Sequence, residues 1–509
     1  MGDLHHPTST RNPQAQKFFN QGLTLLYGFN YPEAAHSFRE AVRLDPGYAM
    51  GWWGLAMALG PNINEPHFPQ NVIPAFEASR KAAELASTAS PREKAYIEAL
   101  QARYVREPGA DRSALDKAFA AKMKSLAAQY PDDLDAQTLY AESLMMLHPW
   151  RLWTADGKPA PDTLEIVRLL EYVLDRNPDH MGACHYYIHA VEASTEPWKA
   201  LPAADRLGKL APAAGHLVHM PAHIYMRTGD YERAAVSNRE ASEADRLYFQ
   251  KSGAGGIYGS YYAHNLHFLS AARSMQGRYA EAISGVEDAA RIIEPLTAQV
   301  PIFEPFLAFP ILVNVRFRKW DKIMAMPQPP ERLITSNNLW RFGRGMAFAS
   351  NGKPKQAQEE LTAFRASINK VPDDRVYGQN PERLVMNIAA KILEAKIAQV
   401  AGNKEVMLAA LNEAVRLEDS LQYNEPADWY YPPSREALGA GLISAGKFQE
   451  AEAVFREDLR RNRRNGRSLF GLMEALKAQG RHEEAALVKM QLDAAWKGAD
   501  EPLQLSHLF

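Results

Sequence analysis

Residues 18–59 read FFNQGLTLLYGFNYPEAAHSFREAVRLDPGYAMGWWGLAMAL. Phe18, Gly22 and Leu25 fall on one helical face, and Ala34, Phe38 and Ala41 on a second, with Pro46 closing the unit. Thirty-four residues after Phe18 the pattern restarts at Trp52, with Leu55, Ala56 and Leu59. Small and aromatic residues at helical spacing, repeated at this period, mark a helix pair that cannot bury its apolar face alone. Stacked pairs share their faces and wind into a superhelix with a concave groove.

The period is that of the tetratricopeptide repeat. It returns near the C-terminus at Leu438, Gly439, Leu442, Ala451 and Phe455, then at Leu469, Leu472, Leu476 and Ala485. Alanine-rich amphipathic stretches cover most of the chain, and short alternating strand patterns are nearly absent. The expected fold is therefore all-α, a helical-repeat superhelix over 1–509, either open or closed around a central pocket. Its repeats are placed at 14–82, 181–296 and 432–497.

The same register runs through 181–214, with Cys184, Tyr187, Val191, Ala200 and Pro212 at packing positions. It continues through 215–248, with Val218, Pro221, Ala222, Tyr225, Gly229 and Ala234, and into a third copy from about Ala263. In such repeats the second, fifth, ninth and twelfth residues of each first helix line the groove. Here they are His185, His189 and Glu192, then His216, His219 and His223, then His264 and His267. Seven of the fifteen histidines thus share one surface. Histidines at i, i+3, i+4 and i+7 project from one helix face. Converging neutral imidazoles are what a transition metal needs, and an all-nitrogen set favours zinc, copper or iron over magnesium or calcium. Seven imidazoles exceed one tetrahedral shell, so some must orient others or meet substrate. Glu192 is a ligand, a general base or an orienter of a ligating histidine. Against this stands the plainer expectation of a polar groove that binds a peptide.

Between the second and third copies lies FQKSGAGGIYGSYY, residues 249–262. Its glycines suggest a loop able to fold over the groove. Tyr258, Tyr261 and Tyr262 are candidates for acid/base or substrate-orienting work. Three further segments break the repeat. GPNINEPHFP (60–69) offers Asn62, Asn64 and His67. HPWRLWTADGKPAP (148–161) offers Trp150 and Trp153. NEPADWYYPPSR (424–435) offers Trp429, Tyr430 and Arg435, in an aromatic cluster whose ordinary role is packing.

The formal net charge of −2 gives no electrostatic case for nucleic acid or an anionic membrane. One cysteine, Cys184, excludes an intramolecular disulfide, and its packing position marks it as a small buried hydrophobe. The N-terminus lacks the apolar stretch of a signal peptide, and no apolar run approaches a membrane span. HExxH, Walker A, dinucleotide-binding and GxSxG motifs are absent. These readings point to a soluble cytoplasmic protein with a small-molecule substrate, with a homo-oligomer left open.

NYPEAAHSFREAVRLDPGYAMGWWGLAMALGPNIN, HYYIHAVEAS, AGHLVHMPAHIYMRTGDY, YYAHNLHFL and WYYPPSREALGAGL resemble a group of bacterial tetratricopeptide repeat proteins. That group is similar to the animal protein called tetratricopeptide repeat domain 38. The resemblance runs over nearly the whole chain and implies an all-helical repeat fold. It supplies no reaction, so the expected function rests on register and chemistry. The expectation is a metal-dependent enzyme using metal-activated water or oxygen chemistry, with a non-catalytic scaffold for a peptide or protein as its rival.

Overall fold

A computed structural model describes residues 2–252, 257–298, 300–429 and 433–509. The chain divides into two compact units, residues 1–224 and 225–509, and the division falls within 181–296. The first runs α1 (Pro13–Tyr27), α2 (Tyr31–Leu44), α3 (Ala49–Ala58), α4 (Pro69–Leu85), α5 (Pro91–Gln101) and α6 (Arg112–Gln129). It continues α7 (Leu134–Met145), α8 (Thr163–Arg176), α9 (Met181–Val191), α10 (Leu201–Leu210) and α11 (Gly215–His219), reaching α12 (Pro221–Thr228) at the division. The second runs α13 (Tyr231–Ser252), α14 (Ile257–Met275), α15 (Tyr279–Ile293), α16 (Phe309–Arg316), α17 (Trp320–Ala325), α18 (Ile334–Ser350) and α19 (Pro354–Ile368). After it come α20 (Glu382–Val400), α21 (Lys404–Asp419), α22 (Ser434–Ser444), α23 (Phe448–Arg461), α24 (Gly466–Ala478) and α25 (His482–Ala495). Among the described residues the only sheet is the two-residue pair β1 (Val376–Tyr377) and β2 (Asn380–Pro381). The expected α-solenoid is the fold observed. No helix among the described residues is long and apolar enough to cross a membrane.

Consecutive helices pack against each other along each unit. Phe38 is fully buried between Gly22 of α1 and Gly54 of α3. A Cβ at those glycines would lie 2.7 and 2.3 Å from its ring. Far along the chain Phe455 is fully buried between Gly439 of α22 and Gly471 of α24, with Cβ distances of 2.3 and 2.2 Å. The same construction therefore builds both ends of the sequence. A phenyl ring on each second helix fills the notch left by two glycines on the flanking first helices, at a density that leaves no room for a methyl group.

Local chemistry sets the helix starts. Asn12 accepts hydrogen bonds from the backbone N–H groups of Gln14 and Ala15 ahead of α1, and Ser90 with Glu93 forms a reciprocal capping box on α5. Pro221 interrupts the second histidine-bearing segment, because its ring carries no N–H for a helical bond. His216 and His219 consequently sit on α11 and His223 on α12, and not on one continuous helix as their spacing suggests.

The segment 249–262 departs further from expectation. Residues 249–252 are the last turn of α13, and 257–262 the first turns of α14. The described part is therefore helix and not a loop that folds over a groove. The glycine run at 253–256 lies outside the described residues. Tyrosine packing overrides the loop-like composition here: Tyr258 is buried with its ring 4.7 Å from that of Tyr248, and Tyr262 lies 5.8 Å from Phe249.

Candidate metal centre

Five of the seven histidines lie in the first unit and form a continuous chain of rings. Centroids are separated by 4.9 Å for His185–His189, 5.0 Å for His185–His216, 5.9 Å for His216–His219 and 4.9 Å for His219–His223. All five residues are buried. One ring nitrogen each from His185, His189 and His216 falls within 4.8 Å of the other two. His219 and His223 bring their Nε2 atoms to 3.0 Å.

Hydrogen bonds fix which nitrogens are free to bind an ion. The Nδ1–H of His185 donates to the backbone carbonyl of Tyr27, at 2.5 Å. A carbonyl only accepts, so in the neutral ring the proton is on Nδ1 and the lone pair on Nε2. The Nδ1–H groups of His189 and His223 donate to Glu192 Oε1 (2.9 Å) and Oε2 (2.5 Å). A carboxylate likewise accepts, so their lone pairs also lie on Nε2. The Nε2 atoms of His185 and His189 are buried and meet no hydrogen-bond partner among the described residues.

Electrostatics agrees with neutral rings. Burial holds His185 and His216 well below the usual imidazole range, and neighbouring histidines add to the effect. Burial also lowers His189, partly offset by Glu192. Burial works against the Glu192 carboxylate, but His223 and His189 outweigh it and hold the group well below the usual carboxylate range. The carboxylate is 2 % exposed. A buried charge of this kind is paired or balanced by a cation.

Aromatic rings close the cluster. Phe29 lies 4.6 Å from His185, 5.9 Å from His189 and 6.0 Å from His216, on a residue whose φ of 54° is unusual outside glycine. Trp150, at φ 59°, presents an edge to His189 at 5.4 Å. Two bulky residues in left-handed backbone beside one cluster is strain of the kind found at ligand sites. Both come from loops, where groove register assigns nothing. Trp153 anchors the second loop by donating from Nε1 to the carbonyl of Ala190 at 2.7 Å.

Glu142 is a groove residue that the histidine-centred reading passed over. It is the ninth residue of α7, as His189 is of α9, so the same register finds it. It is buried 3.6 Å from the fully buried guanidinium of Arg103. Burial raises its carboxyl, and Arg103 works in the opposite direction.

The remaining candidates are carried by other elements. Asn62 closes the turn after α3, its Oδ1 accepting from the backbone of Asn64 (2.8 Å) and Glu65 (3.1 Å). Tyr258 and Tyr262 are on α14 of the second unit, as are His264 and His267. His264 packs edge-on to Phe268 at 5.2 Å. His267 stacks on Phe309 with centroids 3.8 Å apart, and burial pushes its imidazole down to about 3. Trp429 is a core residue against Phe342. Arg435 makes a two-pronged pair with Asp419, at 2.8 and 2.7 Å. Tyr430 lies outside the described residues. Cys184 is buried, and burial pushes its thiol up to about 12, as its packing position implies.

No curated protein matches the chain in sequence. Solved structures with similar helical architecture include the human IFIT1 dimer with m7Gppp-AAAA, at 11 % identity and TM-score 0.36, covering 89 % of this chain and 90 % of that one. They also include yeast Tom70, at 13 % identity and TM-score 0.33, covering 94 % and 97 %. A third is the APC/C hetero-tetramer Cut9-Hcn1, at 12 % and 0.32, covering 98 % and 96 %. Residues 19–59 and 437–498 match the tetratricopeptide repeat family. These are the two stretches in which Phe38 and Phe455 each fill a notch between paired glycines, and it is there that the chain is similar to that family.

Proposed function

We propose that the chain is a metal-dependent enzyme whose ion is held by His185, His189 and His216 in the first unit, and which acts on a small molecule. One observation carries this reading. Two buried imidazoles, His185 and His189, have their Nδ1 protons committed to acceptors, and their Nε2 lone pairs meet no donor among the described residues. Buried acceptors left without a donor cost about 1–3 kcal/mol each, and a cation satisfies them. A histidine held through its second nitrogen by a carbonyl or carboxylate is the usual support for a metal ligand. The three nitrogens lie within 4.8 Å of one another, whereas a tetrahedral ion at 2.0–2.1 Å holds its ligands about 3.4 Å apart. Inward rotation of the rings by roughly an ångström closes that gap.

The nitrogen-rich donor set suits zinc, copper or iron. Such an ion, when bound, supplies a Lewis acid and a water activated near neutral pH. Glu192 serves here as a positioning residue. Both of its oxygens are engaged by His189 and His223, and its charge offsets part of the ion's.

Elemental analysis of protein purified without a histidine tag tests the reading. At least 0.5 equivalent of one transition metal is expected (on the order of one per chain), removable by a chelator and restorable. Protein that neither carries nor takes up such a metal overturns the reading and leaves a groove that binds a peptide or protein as its successor.

A further inference from the structure

The second unit buries one carboxylate between two guanidinium groups. Glu436, with its side chain fully buried, lies 2.7 Å from Arg467 Nε and 3.4 Å from the fully buried Arg316. Beside this triad is a cavity of about 210 Å³. Arg316, Arg467, Arg318 and Lys396 all line it.

Among the described residues those last two cations have no anionic partner at ion-pair distance. Lys396 Nζ donates to the neutral Gln399 Oε1 at 2.9 Å. Glu501 acts on Arg318 without forming an ion pair with it, and is itself paired with Lys319 at 2.7 Å. Burial lowers both groups, Lys396 to about 8, with Arg318 adding to the effect. His507, pushed down to about 4 by burial and the arginines, adds no charge at neutral pH. Glu436 is therefore engaged by Arg316 and Arg467, and no carboxylate of the described residues stands at ion-pair distance from Arg318 or Lys396. Arg318 also sits at φ 54°, a left-handed conformation that directs it from the end of α16. The rest of the wall includes the apolar Trp320, Met346 and Val400 beside the hydroxyl residues Ser350 and Ser506.

We propose that this cavity binds a small phosphomonoester, its phosphoryl dianion seated on Arg318 and Lys396 and its organic group against Trp320, Met346 and Val400. Two unpaired cations match a dianion. The guanidinium fork fits phosphate oxygens in pairs, with the ammonium as a point charge beside it. Cavity volume beyond one phosphate, with apolar walls, fits an ester better than the free ion.

Titration calorimetry on the full-length protein at fixed ionic strength, with phenyl phosphate, inorganic phosphate and phenol as probes, tests this. Phenyl phosphate is expected to bind at least 10-fold more tightly than inorganic phosphate, and phenol not to bind measurably (a tenfold step being about 1.4 kcal/mol). Arg318→Ala and, separately, Lys396→Met should each weaken phenyl phosphate by about 10-fold or more while the helical circular dichroism is unchanged. Equal affinity for phenyl phosphate and inorganic phosphate overturns the ester in favour of the free ion. No binding of either phosphate, or unchanged binding in both folded variants, overturns the site. Because the cavity and the histidine cluster lie in separate units, metal content is expected to be unaffected, so the two proposals fail independently.

Discussion

His189 and His223, carried by α9 and α12, donate their Nδ1 protons to opposite oxygens of the single carboxylate of Glu192, at 2.9 and 2.5 Å. One buried anion thereby sets the tautomer of two rings. Replacing it with an amide of the same size breaks this symmetry, because Gln offers one accepting oxygen where Glu offers two. In Glu192→Gln one imidazole must turn its proton to Nε2 or meet an N–H. Metal affinity is expected to fall about 10–100-fold, measured by competition with a chromogenic chelator. Unchanged affinity would remove Glu192 from the support of the ion.

His185→Ala should bind less than a tenth of the wild-type metal at roughly micromolar free ion, since two nitrogens hold an ion far less firmly than three. Far-ultraviolet circular dichroism should remain that of the native helices. A fully loaded His185→Ala protein would show that the ion, if present, is held elsewhere.

Acid should destabilise the second unit through His267. Its folded value is about 3, from burial, against about 6.5 in the unfolded chain. Between those values the unfolded state binds the proton and the folded state does not. Stability is therefore full above about pH 6.5 and falls as pH drops toward the folded value, by about 1.4 kcal/mol per pH unit. His267→Leu removes that slope. Chemical denaturation at pH 7 and pH 5 should show a smaller loss in the variant, by about 2 kcal/mol; equal losses would mean that His267 already gains its proton in the folded state.

Gly471→Ala places a Cβ 2.2 Å from the ring of Phe455. Phe455 is fully buried, so neither α23 nor α24 yields cheaply. The expected cost is about 1–3 kcal/mol, read as a lower melting temperature. Gly446→Ala is not a matched control, because that residue adopts φ 79°. Ala478→Gly, at the end of α24, reports the helix-propensity cost alone, about 1 kcal/mol. A Gly471→Ala protein as stable as wild type would mean that the notch is looser than the geometry gives.

Much of this site is legible in the chain because a repeat converts sequence position into spatial position. Once Gly22, Phe38, Gly439 and Phe455 set the register, the groove positions of His185, His189, Glu192, His216, His219 and His223 follow from counting. Counting fails where the period is interrupted. It could not foresee the helix break at Pro221 or the tyrosine packing that extends α13 and α14 into 249–262. Phe29 and Trp150 reach the cluster from loops, whose paths depend on tertiary contacts and not on period. The acceptor that orients His185 is a main-chain carbonyl, and a carbonyl leaves no trace in sequence. Trp429 and Arg435 come from a short segment crowded with aromatic and cationic residues, and composition alone does not reveal that Trp429 packs on Phe342 and Arg435 pairs with Asp419.

The bond from His185 to the carbonyl of Tyr27 joins residues 158 positions apart. Repeat proteins ordinarily tolerate loss of a terminal unit, since each unit touches only its neighbours. Here the end of the first helix is wired to the middle of the chain. A product initiated downstream of residue 27 would keep all five histidines of the cluster and still lack the acceptor that aims the first of them. On the ribosome, Tyr27 emerges long before His185, at 5–20 residues per second, so the centre is assembled only after most of the first unit has been synthesised.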